Sequence, residues 1–355
     1  RRSRRGASEM RPFISLAARL LVNVEALNMV EAVGNVTRHR RATVVIQDPG
    51  GGYRKLEVPC ISGESLAHAY QVALVEAARA IYSREDVEIP VCEWCARGEF
   101  FKSMDDAHTM SSVKKAIEGL KGTEQAHVFE REVVRGCLVE DIGGFLRAER
   151  PPVKRTSRFH VGYLLPVADA VGVTALDTQF HVRHAPSEAV RGEERAAQMI
   201  YYVETGSAVY GLSFNLDVDG IGKTSMVSVE QVVDDAERER RVKVALTALL
   251  TVLSTKAFGA KRSRFLPLVE VKGLVAAVSS PIPFTVEPPS SVGFINDTKE
   301  KAERFLAVLG KLGIEEELQI YAFSSEVEVP EGVEKADGVE DLLGRLADKV
   351  LGMLG

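Results

Sequence analysis

The chain has 355 residues, 45 % of them apolar, and a formal net charge of −5. That length suits one large domain with insertions or two domains, and the apolar fraction excludes a wholly disordered chain. The acidic balance means that any nucleic-acid binding must come from local basic patches, while four cysteines are too few for a disulfide framework and no apolar run reaches a membrane span, so the expected compartment is the reducing cytoplasm.

Residues 1–9 hold four arginines and read as a solvated tail before Met10. Leu20, Val22, Val24 and Ala26 then alternate with Arg19, Leu21, Asn23 and Glu25, which predicts a strand with one buried and one largely polar, ligand-facing side. Residues 28–41 follow, with Arg38, His39, Arg40 and Arg41 at their end. Residues 42–47 and 53–58 flank Asp48-Pro49-Gly50-Gly51-Gly52, a hairpin signal.

Residues 61–81 form the strongest helix pattern. Ser62 is a good N-cap, and Leu66, Tyr70, Ala73, Leu74, Ala77 and Ile81 recur at helical spacing. Glu64, His68 and Gln71 mark the other face near the N-terminus, where free N–H groups and the helix dipole suit a phosphate.

Residues 83–132 are polar with short helical patches and read as an insertion. Two elements, 132–142 and 159–167, return to the core around Gly143-Gly144-Phe145 and the acid-free loop 150–158. Residues 178–185 and 199–205 look like the arms of a protruding hairpin with a charged tip, and 207–216 like a further strand. A second strong helix spans 234–253, and a linker with Lys256, Lys261, Arg262 and Arg264 joins it to a strand at 268–278. Pro281 to Pro289 marks a boundary, and the tail reads helix, strand, helix at 298–309, 318–323 and 339–353. Without its insertions the order is compatible with a ferredoxin-like or RRM-like βαββαβ core.

Three basic loops, 38–41, 150–158 and 256–264, contain no acidic residue in an acidic chain. Each mixes Arg or Lys with Gly, Ser, Thr or His, a donor set suited to phosphates. RRM-type RNA-binding strand motifs and stacked strand aromatics are absent. Cys92, Cys95 and His108 fit the first three positions of a C-x2-C-x12-H zinc pattern, with His127 or Cys137 as candidates for the fourth ligand. Gly220-Ile221-Gly222-Lys223-Thr224 lacks the first P-loop glycine, since Asp217 stands there, and reads as a turn. Asn and Gln total only 12, which leans towards a thermophile.

Several blocks in order carry a resemblance: NVEALNMVEAVGNVTRHRRATVV (23–45), PCISGESLAHAYQ (59–71), EDIGGFL (140–146), PPVKRTSRFHVGYLLP (151–166), TQFHVRH (178–184) and FGAKRSRFLP (258–267). Across residues 16–289 the chain resembles the backbone subunit of archaeal type I-A CRISPR Cascade complexes, a DevR-type branch of the RAMP superfamily. The resemblance implies an α+β fold: a ferredoxin-like or RRM-like palm with an inserted helical subdomain and a protruding thumb hairpin. The expected division is palm at 11–81, 133–178 and 204–280, a CxxC-bearing insertion at 82–132, a thumb at 179–203 and a C-terminal α/β extension at 281–355.

The resemblance further implies a non-catalytic antiviral subunit that oligomerises head to tail along CRISPR RNA. The implied partners are that RNA, the target DNA strand paired to it, further copies of the chain, the handle-capping, large and small subunits, and a recruited helicase-nuclease, with no membrane and no required cofactor. RNA contact is expected at Arg38, His39, Arg40 and Arg41; at Ser62, Glu64, His68 and Gln71; at Arg155, Thr156, Ser157 and Arg158; at His181 and Arg183; and at Lys261, Arg262 and Arg264. Related cleaving subunits use a loop aspartate after the first strand. Residues 28–41 contain no aspartate, and Glu31 is their only acid. The alternatives are an endoribonuclease of the same superfamily, with His39 or His160 as general acid–base, and a zinc-containing protein-interaction module. The CxxC segment and the tail after Pro289 lie outside the resemblance.

Overall fold

A computed structural model describes residues 10–48, 50–183 and 199–354. The first third holds strands β1 (Phe13–Glu25), β2 (Met29–Val33), β3 (Val36–His39), β4 (Arg41–Gln47) and β5 (Tyr53–Pro59), then helix α1 (Gly63–Glu85). The inserted segment contributes α2 (Glu93–Ala96), α3 (Ser111–Ala116) and α4 (Gly122–Gly136). Helix α5 (Leu138–Gly143) leads into β6 (Phe145–Arg147), β7 (Val153–Arg155), β8 (Phe159–Val161), β9 (Leu165–Pro166), β10 (Ala175–Arg183) and β11 (Met199–Asp217). The remainder comprises α6 (Asp235–Thr255), β12 (Leu268–Ser280), α7 (Phe294–Lys311), β13 (Glu317–Ser324), β14 (Glu334–Lys335) and α8 (Val339–Gly352). The fold is α+β around one mixed sheet of order β14-β13-β12-β1-β11-β3-β2, with β8, β9 and β10 also pairing with β11.

The centre is β1, antiparallel to both β11 and β12. Its even residues Ile14, Leu16, Ala18, Leu20 and Val22 lie beneath α1 and α6 and join one core with Leu74, Ala78, Val242, Ala245 and Leu249. Burying each large side chain of this kind contributes roughly 1.5–3 kcal/mol. The two helices start where local chemistry permits. The Ser62 hydroxyl accepts from Ser65 N, and the Asp234 carboxylate from Glu237 N, satisfying donors that a helix start leaves free.

The opposite side of β1 is covered, which corrects the expectation of an open, ligand-facing surface. Ala17 packs with Phe284, Phe294 and Ala302, so residues 284–302 close that face. Arg19 is only 2 % exposed: its guanidinium binds Asp169 at 3.1 Å, Glu326 at 2.7 Å and the Pro289 carbonyl at 3.2 Å. Alternation reports side-chain polarity, but partners more than a hundred residues away decide whether a polar face meets water.

Three further expectations change. The β1–β11 register shifts between Val22 and Glu25, with Val24 at φ 53°, so Val24 points out and Glu25 points in. A bulge of this kind exchanges the faces. The separate strands expected at 199–205 and 207–216 are one strand, β11, because Gly206 continues the ladder and pairs with both Leu176 and Glu25. Finally, the segment after residue 281 is joined to the main body. Strand β13 pairs with β12, α7 covers one face, and Val339, Leu342 and Leu346 of α8 enter the central core.

Candidate nucleic-acid interface

The turn after β1 gathers three of the expected contact stretches. The Leu27 carbonyl accepts from Ala260 N at 2.7 Å, the Asn28 carbonyl from Arg40 N at 2.8 Å, and Asn28 Oδ1 from Ser62 N at 2.8 Å. Two residues thus hold the 258–265 loop, the end of β3 and the start of α1 in one frame. Gly259 makes the first contact possible. It has φ +79°, and a Cβ there would lie 2.6 Å from Leu27 Cβ. The fourth stretch joins from the other side, where Ile61 and Leu164 exchange backbone hydrogen bonds. Gly144, at φ +66°, lets the 155–157 backbone pass so closely that a Cβ would stand 2.5 Å from the Arg155 carbonyl.

Within this frame the expected residues divide by burial. Arg38, Arg41, Glu64, His68, Thr156, Lys261 and Arg264 are exposed, and Arg40, Ser157, His181 and Arg262 half-buried. Lys261 and Arg264 lie with His181 around a cleft of about 410 Å³ that Tyr201, Ser263 and Phe265 complete. The His181 ring stacks on Tyr201 at 5.1 Å and meets Phe265 edge-on at 5.5 Å. Arg183 follows His181 on β10, beside the tip 184–198, which lies outside the described residues. His68 meets Phe100 of the inserted segment at 5.2 Å.

The other expected side chains are committed inside the protein. His39 is buried against Glu25, with Nε2 2.5 Å from the carboxylate and Nδ1 2.7 Å from the Arg40 carbonyl. Burial alone would lower its pKa, but the Glu25 hydrogen bond and charge outweigh that and raise it. Glu25 also accepts from Tyr210 Oη and Leu27 N, so the pair anchors the turn that organises the frame. Ser62 is spent on its cap. Gln71 is buried, and its Nε2 donates to the Ala67 carbonyl at 3.1 Å.

Arg155 is the largest correction. It is 2 % exposed and bridges Asp141 and Glu130, and its Nη1 also donates to the Lys223 carbonyl at 2.7 Å. Arg241 binds the other oxygen of Asp141 at 2.8 Å. Burial, the dominant influence, holds the Arg155 pKa below the usual arginine value. Arg158 is mostly covered too, donating to Asp217 at 3.0 Å. The 150–158 loop is acid-free in sequence, but the fold brings carboxylates to it from elsewhere.

The candidate zinc ligands also rearrange. The thiols of Cys92, Cys95 and Cys137 and the carboxylate of Glu140 lie within 4.8 Å of one another and are all buried. His108 is not among them. Its Nδ1 lies 2.7 Å from Asp105, and its ring packs against Phe101 and Trp94. His127 instead pairs with Glu230 at 2.9 Å. The x12 spacing therefore carries no ligand here. Lys223 pairs with Asp219, as a turn lysine. Sequence reasoning missed Tyr201, Phe265, Phe100 and Asn28, which come from separate segments and share no spacing.

A DevR-type sequence signature and an α+β sheet with a basic flank together define a class, and the comparisons with known proteins place the chain in it. A family described as "CRISPR-associated negative auto-regulator DevR/Csa2" matches residues 16–300, and the chain belongs to that family. The resemblance drawn from the sequence blocks is thereby borne out. Among its relatives, the CRISPR-associated aCascade subunit Cas7/Csa2 2 of Saccharolobus solfataricus is 39 % identical over 344 residues, covering 95 % of this chain and 100 % of that protein. The CRISPR-associated protein Cas7/Csa2 1 of the same organism is 36 % identical over 83 % of this chain and 89 % of its own. A Methanocaldococcus jannaschii protein, Cas7/Cst2/DevR, is 28 % identical over 95 % of this chain and 100 % of its own. In fold, the chain is similar to a subunit of a solved CRISPR RNA-guided surveillance complex, with a TM-score of 0.51 and 13 % identity over 95 % of this chain and 99 % of that one. Among the described residues no helix is long and apolar enough to cross a membrane.

Proposed function

We propose that this chain is a backbone subunit of a Cascade-type antiviral complex and binds CRISPR RNA through its phosphates. The observation that carries the reading is the frame around Leu27 and Asn28. It draws family-signature segments far apart in sequence to one flank, where Arg38, Lys261 and Arg264 stay exposed and His181 and Tyr201 offer ring faces. Cations hold phosphates without reading sequence, and base pairing with the target supplies specificity.

The palm is read as RRM-like, supported by the antiparallel order β12-β1-β11-β8 with α1 and α6 on one face. The thumb is assigned to β10 and the start of β11, which pair from Ala175↔Ser207 out to Arg183↔Met199. Copies stack head to tail along the RNA, a heterologous contact that does not close on itself. The target DNA strand, the handle-capping, large and small subunits and a recruited helicase-nuclease complete the partner set, and the working compartment is the cytoplasm. The role is non-catalytic: residues 28–41 offer only Glu31 as an acid, and His39 is locked against Glu25 away from any substrate.

Binding to a CRISPR RNA across several salt concentrations, followed by particle imaging, tests this. Tight, salt-sensitive binding with crescent or helical particles is expected. Cleavage of that RNA, abolished by His160→Ala, would instead establish an endoribonuclease.

A further inference from the structure

Three sulfurs and a carboxylate converge in the interior, packed in the same core as α1. Cys92 is 5 % exposed, and Cys95, Cys137 and Glu140 are fully buried. Their ligand atoms lie within 4.8 Å of one another. Zinc–sulfur bonds of about 2.3 Å at tetrahedral angles need sulfurs about 3.8 Å apart, so small side-chain adjustments complete a tetrahedron.

Glu140 is the second, independent observation. Neither of its oxygens has a hydrogen bond of ordinary geometry among the described residues. Ser103 and Cys92 lie beside it, but a buried carboxyl group so weakly held is costly, and a bound cation resolves that cost directly. A redox disulfide between Cys92 and Cys95 would leave Cys137 and both Glu140 oxygens unexplained. Cys92 N also donates to Cys137 Sγ at 3.4 Å, which ties the CxxC segment to the start of α5. Lys102, whose Nζ donates to the Gly143 carbonyl at 2.9 Å, lies beside the cluster and offsets part of its negative charge.

We propose that Cys92, Cys95, Cys137 and Glu140 form a closed structural zinc site. Four protein ligands in a sealed pocket leave no open position for substrate, so the metal's role is architectural. Cys92 and Cys95 stand near the start of the inserted segment, while Cys137 and Glu140 follow its last helix, α4. The ion therefore staples the neck of the insertion and fixes the Phe100–His68 contact at the head of α1.

Metal analysis of the purified full-length chain tests the site. About one zinc per chain is expected in the wild type and in His108→Ala, with loss of zinc in Cys137→Ser and weaker retention in Glu140→Gln. Refolding with cobalt should give the intense visible absorption of a tetrahedral cobalt–thiolate centre, a readout that stands even if Cys137→Ser does not fold. Background zinc together with no such absorption would overturn the proposal. So would two of the four thiols blocked as a disulfide in metal-free protein, or zinc that depends on His108 and not on Cys137.

Discussion

Two arginine-rich stretches that look alike in sequence end in opposite environments. In residues 150–158, Arg155 is sealed between Asp141 and Glu130 and Arg158 is held by Asp217. In residues 256–264, Lys261 and Arg264 stay exposed around a cleft shared with His181 and Tyr201. Neither run contains an acid. The difference lies in what the fold delivers: α4 and α5 carry Glu130 and Asp141 to the first loop, while the second closes on the carbonyl of Leu27. A cation run in sequence leaves its side chains free for a ligand only where no distant carboxylate reaches them.

Substitutions turn that contrast into measurements. The largest effect is expected from Arg155→Ala, which strips one partner from a buried ionic network and should cost about 3–5 kcal/mol of stability. Denaturant unfolding reads this directly, and a variant as stable as the wild type would break the comparison. Next come Lys261→Glu and Arg264→Glu. Each should weaken CRISPR RNA binding roughly tenfold, equivalent to about 1.4 kcal/mol, by similar factors for unrelated RNA sequences and without lowering the melting temperature. Binding isotherms on two unrelated guides check it, and a strongly sequence-dependent loss would contradict phosphate contact.

His39 sharpens the same lesson in stability rather than binding. Its folded pKa is raised by Glu25, so its contribution is fully present below the ordinary histidine value near 6.5 and is lost as pH rises through the folded pKa. The stability gap between wild type and His39→Gln should therefore shrink as pH rises above about 6.5, as urea midpoints would record. A gap that widens with pH would reverse the sign. The smallest effect is expected at Arg41, exposed yet already paired with Glu57 and Glu204 at 2.8 Å each. Arg41→Ala should change RNA affinity by less than about fivefold, well short of Arg264→Glu.

The sequence revealed what depends on local chemistry and missed what depends on delivery from afar. Capping by Ser62, the β4–β5 hairpin around Gly50 and the two core helices follow from local residue types and spacing. The inward turn of Glu25 was hidden because a single bulge at Val24 exchanges the faces. Closure of the β1 polar face depends on Phe284 and Phe294, whose pairing with Ala17 leaves no periodic trace. Of the candidate site, Lys261, Arg264 and His181 were legible as chemistry, but their meeting with Tyr201 and Phe265 was not. For the cysteine cluster, the CxxC was visible; Glu140 was not, since a helical carboxylate forty-odd positions away looks like any surface acid.

The central claim is that the 258–265 loop grips RNA phosphates while Arg155 and Arg158 hold the interior. Binding of a CRISPR RNA to the wild type and to a Lys261→Glu, Arg264→Glu double variant, measured from low to high salt, tests it most directly. Each cation that contacts a phosphate should contribute roughly 0.7 to the slope of log affinity against log salt, so the double variant should lose about 1.4 or more of that slope while unfolding normally. An unchanged slope and affinity would place the RNA on another face and contradict the account.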